Sequence, residues 1–249
     1  MASEADRSQD EVAELVGKLV TPEETDGAER RRLLGRLSGV LVESAKKARA
    51  SGHDRGRWLT DVFMNIAPRI PIRDVATLQE HHYGLTGEQL ADDLVRTAAK
   101  GTMAVGAVGG ALAAAQFAAP PLLLSAPAQL VAETLVVATI EVKLLAELHE
   151  VYGVEVPGTG TQRAAVYAAA WARQRGVNPL APGSATIALG VAAKTALRNR
   201  LMRTLGRHFT TMGPFFTGAV AGGTLNRVAT KKLADAVRAD LRTRALPPA

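Results

Sequence analysis

Acidic and histidine side chains on one apolar stretch are the first candidates for chemistry in this chain. They are Glu133, Glu141, Glu147, His149 and Glu150. Carboxylates and imidazoles on paired helices can hold metal ions when they follow a Glu-x-x-His spacing. Here the spacing is Glu147-x-His149, which turns the two side chains about 200° apart around a helix. The cluster is therefore interpreted as solvated charge on a helix surface, except for Glu133, whose apolar surroundings predict burial.

No other residue pattern indicates catalysis. The chain has no cysteine, which excludes disulfides, thiolate metal ligands and cysteine nucleophiles. It also lacks a nucleophile elbow, a Walker A loop and a dinucleotide fingerprint. We therefore predict a protein that is not an enzyme and has no catalytic residue, metal or other cofactor. The alternative from another functional class is a helical metal-dependent enzyme that uses Glu133, Glu141 and His149.

Basic residues mark a second candidate site, on a helix predicted over residues 184–209. At 100° per residue, Arg200, Arg203 and Arg207 fall within about 60° of one another, and leucines cluster on the opposite side. Lys194 and Arg198 border the apolar stripe, where their long stems can reach the surface. The design is typical of helices in a membrane interface, although a helix that buries its leucines in a protein core has the same pattern. All five basic residues are predicted contacts with anionic lipid.

Two glycine pairs predict close packing between helices. Gly106-x-x-x-Gly110 and Gly218-x-x-x-Gly222 each place two residues without a Cβ on one helix face. Another backbone can approach such a face closely, either in lipid or in a water-soluble core. The strings that begin at the first glycine of each pair are also alike. We therefore expect the two glycine-bearing helices to pack against each other.

The elements that carry these residues are all predicted to be helices. Ala, Leu and Val supply most of the 47% hydrophobic content, and no segment alternates with the period of a strand. After a disordered N-terminus, capping and proline positions predict helices over about 9–20, 28–51, 58–67, 74–83, 87–118, 127–152, 161–175, 184–209 and 214–244. The predicted fold is an all-α, multi-helix bundle with a central Gly/Ala-rich helical hairpin. Residues 1–85 form its N-terminal helical portion and residues 86–249 its core, within one continuous domain.

An uncharged stretch over residues 101–132 raises the question of membrane insertion. The segments 101–119 and 122–140 are each long enough to span a bilayer. Their insertion free energies are near zero, because glycines offset the apolar residues of the first segment and Glu133 offsets those of the second. This balance favours a hairpin that is buried in a bundle and able to exchange into lipid. An integral two-pass membrane protein is the alternative.

The charge distribution predicts an anionic partner. The chain carries 30 basic and 24 acidic side chains, and residues 156–249 hold 14 of the basic but only two of the acidic ones. Residues 156–234 have no acidic side chain at all. This asymmetry favours an anionic membrane surface or lipid over nucleic acid, because the chain lacks helix-turn-helix spacing and zinc ligands and has only 4% aromatic residues. The slightly acidic N-terminal third is a candidate surface for a protein partner.

The N-terminal sequence predicts a cytoplasmic protein. Residues 1–10 are polar and acidic and lack the apolar core of a secretory signal. Together with the predicted basic helix, this favours a protein that binds peripherally to the inner face of the cytoplasmic membrane.

Two stretches resemble the bacterial EcsC family. The first is the small-residue string from Gly106, followed by a proline-punctuated apolar stretch and a long helix that ends in Leu148-His-Glu-Val-Tyr152-Gly153. The second is Pro214-Phe-Phe-Thr-Gly218-Ala-Val-Ala-Gly222-Gly-Thr-Leu-Asn226. The similarity covers about residues 90–240. It implies a helical protein without established catalytic activity, peripheral to the cytoplasmic membrane and encoded beside a transporter in some bacteria.

Overall fold

Helices account for all the regular structure that is described. A computed structural model describes residues 4–20, 26–50, 52, 55–118, 126–174 and 214–245, and the regular elements within those ranges are all helical. The predicted all-α fold is therefore confirmed. Besides a 3-10 helix at Ala67–Arg69, the described elements are α1 (Glu4–Val20), α2 (Gly27–Ala50), α3 (Arg55–Ile66), α4 (Val75–His81), α5 (Gly87–Ala118), α6 (Ala126–Val151), α7 (Gly160–Gln174) and α8 (Pro214–Ala245).

Several helix ends follow directly from the local sequence. The Asp26 carboxylate accepts backbone N–H hydrogen bonds at the start of α2, and Asp74 does the same at the start of α4. Gly84 and Gly153 adopt φ values of 76° and 65° just after α4 and α6. A residue with a Cβ avoids this conformation, so glycine is well suited to end each helix.

Helix α1 begins earlier than the sequence predicts. It starts at Glu4, whereas Ser8-x-x-Glu11 predicted a start near Gln9 after a disordered tail. The expectation of disorder is therefore wrong for residues 4–10. A capping-box spacing can lie inside a helix, so it does not by itself locate the helix start.

Helices α5 and α8 form the most extensive interface among the described elements. They run antiparallel, because Glu88 near the start of α5 meets Arg242 near the end of α8. Further along, the Thr102 and Thr230 hydroxyl oxygens lie 2.9 Å apart, and Asn226 Nδ2 donates to the Thr102 carbonyl oxygen at 3.1 Å. The predicted pairing of residues 87–118 with residues 214–244 thus occurs along most of their length.

Glycines bring the backbones of α5 and α8 into contact. A Cβ on Gly106 would lie 2.5 Å from the Gly222 carbonyl oxygen, and one on Gly223 would lie 2.9 Å from the Met103 carbonyl oxygen. Since real Cβ atoms do not approach a backbone so closely, this interface requires residues without a side chain. The other members of the predicted pairs, Gly110 and Gly218, lie in α5 and α8 respectively.

One hydrophobic core joins the described helices. Its centre is α6, which packs against α5 and also contacts α1, α2, α7 and α8. Buried side chains from all eight described α-helices contribute to this core, among them Leu15, Leu37, Phe63, Leu78, Leu90, Leu145, Tyr167 and Leu241. The N-terminal helices therefore share their apolar faces with the rest of the bundle.

The uncharged segments lie in helices as far as they are described. Residues 101–118 belong to α5 and residues 126–140 to α6. In the part of the chain that the structure describes, no helix combines the length and apolarity needed to cross a membrane. The predicted helix over 184–209 and the connection at 119–125 fall outside the described residues.

Candidate functional site

None of the predicted contacts with anionic lipid falls within the described residues. Lys194, Arg198, Arg200, Arg203 and Arg207 all lie outside them. The acid-free span 156–234, to which these residues belong, also contains four described and exposed cations. They are Arg163 on α7 and Arg227, Lys231 and Lys232 on α8. Arg163 lies 3.9 Å from a Glu150 carboxylate oxygen. The three cations on α8 are exposed and form no ion pair with any described acidic residue.

The acidic cluster of α6 is largely buried. Glu141 is fully buried, and Glu133 and Glu147 are 5% and 4% exposed. The interpretation as solvated surface charge is therefore wrong for Glu141 and Glu147, whereas the predicted burial of Glu133 is confirmed. His149 and Glu150 are half-buried. The physical reason is the central position of α6, because other helices cover it on several sides and leave little of its surface to water.

Glu141 accepts hydrogen bonds from two neighbouring helices. Its Oε2 accepts from the Trp171 indole Nε1 at 2.7 Å, and its Oε1 accepts from the Thr230 hydroxyl at 2.9 Å. Since Thr230 also contacts Thr102, one polar network links α5, α6, α7 and α8. Donors of this kind are required because an unsatisfied carboxylate in a low-dielectric interior is very costly.

The local sequence contains a pattern that predicts the burial of Glu141, but it contains none that predicts the hydrogen-bond partners of this residue. The residues three and four positions away on both sides, at 137, 138, 144 and 145, are all apolar. Neighbours at these spacings share the face of a helix, so they place Glu141 on an apolar face. Trp171 and Thr230 are 30 and 89 residues away, and no local pattern could have identified them.

Glu133 occupies space that a glycine leaves open. A Cβ on Gly109 would overlap the Glu133 carboxylate. Gln129 Nε2 donates to Glu133 Oε1 at 2.9 Å and to the Gly109 carbonyl oxygen at 3.0 Å. Gly109 was not among the predicted packing glycines. Its role here is to make room for a buried acid between α5 and α6.

A small cavity lies beside a second buried acid. Lys143 forms an ion pair with Glu147 one turn along α6, and both side chains line a cavity of about 90 Å³ between α1, α5 and α6. Arg73 and His82 also lie on its wall, and His82 Nδ1 is 2.6 Å from Asp93 Oδ2. This volume is large enough to hold water. The cavity is therefore suited to hydrating the Lys143–Glu147 pair.

The three residues of the alternative metal enzyme do not come together. Glu133, Glu141 and His149 are spaced eight residues apart on α6, about 12 Å at each step. His149 Nδ1 lies 2.7 Å from the Leu145 carbonyl oxygen, and burial lowers the pKa of its imidazole. Within the described ranges, no group of three or more His, Asp or Glu residues is placed to hold a metal ion. These three side chains therefore do not form the shared site that the alternative requires.

Glu88 connects the ends of three helices. Its carboxylate accepts hydrogen bonds from the guanidinium groups of Arg238 and Arg242 and, at 2.9 Å, from the Tyr152 hydroxyl. The bonds from Arg242 and Arg238 hold the pKa of the Glu88 carboxyl well below its usual range, although partial desolvation opposes this. Arg238 also pairs with Asp92 at 2.7 Å. The start of α5, the end of α6 and the last turns of α8 are thereby joined.

Comparison of the chain with protein-family models, curated proteins and solved structures finds no match. The similarity to the EcsC family therefore rests on the residue strings quoted above. For function, the placement of charge in the molecule is the more direct guide.

Proposed function

We propose that this chain is a non-enzymatic, amphitropic protein that binds an anionic membrane surface or lipid. In this proposal it lies in the cytoplasm and attaches peripherally to the inner face of the cytoplasmic membrane. Its uncharged hairpin stays within the bundle in the water-soluble state.

The observation that carries the proposal is the opposite placement of acidic and basic side chains. Glu133, Glu141 and Glu147 are three of the five acidic residues in the range 101–155, and all three are buried. In the following acid-free span, Arg163, Arg227, Lys231 and Lys232 are exposed. Glu133 and Glu141 thus lie inside the bundle and Glu147 is paired with Lys143, whereas these cations face outward, so the outer surface carries fewer carboxylates than the composition alone indicates. Each lysine or arginine close to an anionic bilayer contributes about 1 kcal/mol of attraction.

The proposed mechanism begins with an electrostatic landing. The attraction to the anionic surface comes from the exposed cations of α8 and from the five basic residues of the predicted helix over 184–209. These are Lys194, Arg198, Arg200, Arg203 and Arg207. Salt screens the attraction over roughly 8 Å at physiological ionic strength, so it acts only near the surface.

The second step concerns the glycine-bearing hairpin, which either stays buried or opens to accept acyl chains. The contact of Gly106 with the Gly222 backbone supports a hairpin that stays buried, because lipid cannot enter an interface without a gap.

The resemblance to the EcsC family supports a cellular setting for this activity. A peripheral protein of that kind would be accessory to a membrane transport or envelope process. The slightly acidic N-terminal third would then bind a protein partner, while the basic part of the chain contacts lipid.

Vesicle co-sedimentation tests the proposed function. Wild-type protein is mixed with vesicles of phosphatidylcholine alone, or of phosphatidylcholine and phosphatidylglycerol in equal parts, at low and at high salt. We expect binding to the anionic vesicles only, weakened by salt, and weakened further by R200Q/R203Q/R207Q without loss of helical circular dichroism. Wild-type protein that ignores anionic vesicles at low salt would contradict the proposal and would favour an acidic protein as the partner of the basic surface.

A further inference from the structure

Five side chains of α8 form an exposed stripe that combines two valines with three cations. They are Val220, Arg227, Val228, Lys231 and Lys232, called the α8 stripe below. At 100° per residue they fall within about 140° of the helix circumference, on the side away from α5. Val220 is 60% and Val228 is 47% exposed. The first acidic residue after them, Asp235, ends the stripe on its C-terminal side.

Neither part of the α8 stripe is explained by packing within the described bundle. The other arginines of α8 pair with acids, Arg238 and Arg242 with Glu88 and Arg244 with Asp240. The three cations of the stripe have no such partner among the described residues. A single exposed valine is common on protein surfaces. Two exposed valines that share a helix face with three cations, however, have the composition of a helix that lies in a membrane interface.

We infer that the α8 stripe docks on the headgroup region of a bilayer containing anionic phospholipid. Its cations contact lipid phosphates, and its valines reach the boundary of the acyl chains. The stripe carries three positive charges and no negative one, so an anionic bilayer is the complementary occupant. It extends over 13 residues, from Val220 to Lys232, a rise of about 18 Å, which orients the axis of α8 parallel to the membrane plane. This inference rests on the proposed function and names its contact surface.

The charge of the α8 stripe is tested in the full chain with the variant R227Q/K231Q/K232Q. Its apparent partition coefficient onto vesicles of phosphatidylcholine and phosphatidylglycerol should fall by about fivefold per cation, about 100-fold in total. The matched control is R7Q/R31Q/R32Q, which removes the same charge from exposed positions on α1 and α2. The control should bind nearly as well as wild type, and circular dichroism should show both variants folded.

The valines of the α8 stripe are tested by a label. Because the chain has no native cysteine, V228C can carry a single polarity-sensitive dye. Its emission should shift to the blue with anionic vesicles but not with phosphatidylcholine alone. The same dye at R31C should not shift. V220S/V228S should bind several-fold more weakly than wild type while keeping the same dependence on salt.

The outcomes separate this inference from the proposed function. If R227Q/K231Q/K232Q binds like wild type while R200Q/R203Q/R207Q does not, the α8 stripe is not the docking surface, although the proposed function stands. Equal losses of vesicle binding in the α8 variant and in the control would show that binding depends only on net charge. This result would also overturn the inference. Wild-type protein that binds a nucleic acid or an acidic protein, and no anionic vesicle, would overturn both.

Discussion

At the scale of single residues, Glu141 shows how a helical bundle accommodates a carboxylate at its centre. Glu141→Leu removes the acceptor of both the Trp171 indole and the Thr230 hydroxyl. Hydrogen bonds to charged groups contribute about 1.5–3 kcal/mol, and buried donors without an acceptor add a further penalty. We therefore expect the free energy of unfolding to fall by roughly 3 kcal/mol, measured by urea denaturation. Glu150→Leu, at a half-buried position near Arg163, should change it by less than about 1 kcal/mol. Equal losses of unfolding free energy in the two variants would mean that the hydrogen bonds to Glu141 do not stabilise the fold.

His149 makes stability depend on pH. Burial lowers the pKa of its imidazole in the folded protein, so the unfolded chain binds the proton more readily. The free energy of unfolding should therefore be fully retained above about pH 6.5 and should fall on acidification through the range down to the folded-state pKa.

Two variants isolate this titration. His149→Gln and His149→Phe both remove the ionisable group, and the second keeps a ring against Tyr167. Both should show a smaller change in unfolding free energy between about pH 7.5 and about pH 5.5 than wild type. The same change in all three proteins would show that other groups cause it.

At the scale of elements, the α5–α8 pair depends on the missing side chain of Gly106. Gly106→Ala would place a Cβ 2.5 Å from the Gly222 carbonyl oxygen, and a backbone atom cannot easily move away. We expect thermal or urea denaturation to show a loss of about 1–3 kcal/mol, as for other overpacked interfaces. Gly35→Ala is the matched control, because Gly35 is exposed in α2 with no atom near its Cβ position. It should stabilise the protein by about 0.5–1 kcal/mol. A stabilising Gly106→Ala would show that this interface is looser than described.

The same helix pair shows what the sequence can and cannot predict about an element. The bounds of α5 and α6 follow from capping residues and prolines, which act locally. The Gly106 and Gly222 spacings predict that two helices approach closely. The contact of Glu88 with Arg242, 154 residues apart, depends on the final packing of the bundle and leaves no mark in either local sequence.

At the scale of the whole molecule, composition alone predicts helices and an excess of positive charge, but not where the charges lie. The net charge of +6 is a sum, and it is the same whether Glu147 faces water or the interior. The central position of α6 among its neighbours determines that Glu133, Glu141 and Glu147 are buried. The cationic surface is thus a property of the assembled bundle. Its excess of positive charge should fall when the bundle unfolds, because unfolding exposes the buried acids.

The antiparallel pairing of α5 with α8 also has a consequence for synthesis on the ribosome. Thr102 and Thr230 are 128 residues apart, so at about 5–20 residues per second α5 emerges roughly 6 to 26 s before its partner is made. During that interval the uncharged, glycine-bearing face of the nascent α5 has no matching helix. Chaperones can compete for it, and so can lipid if the protein has the proposed function. The unfinished chain is therefore more exposed to aggregation, and to capture by a membrane, than the finished protein.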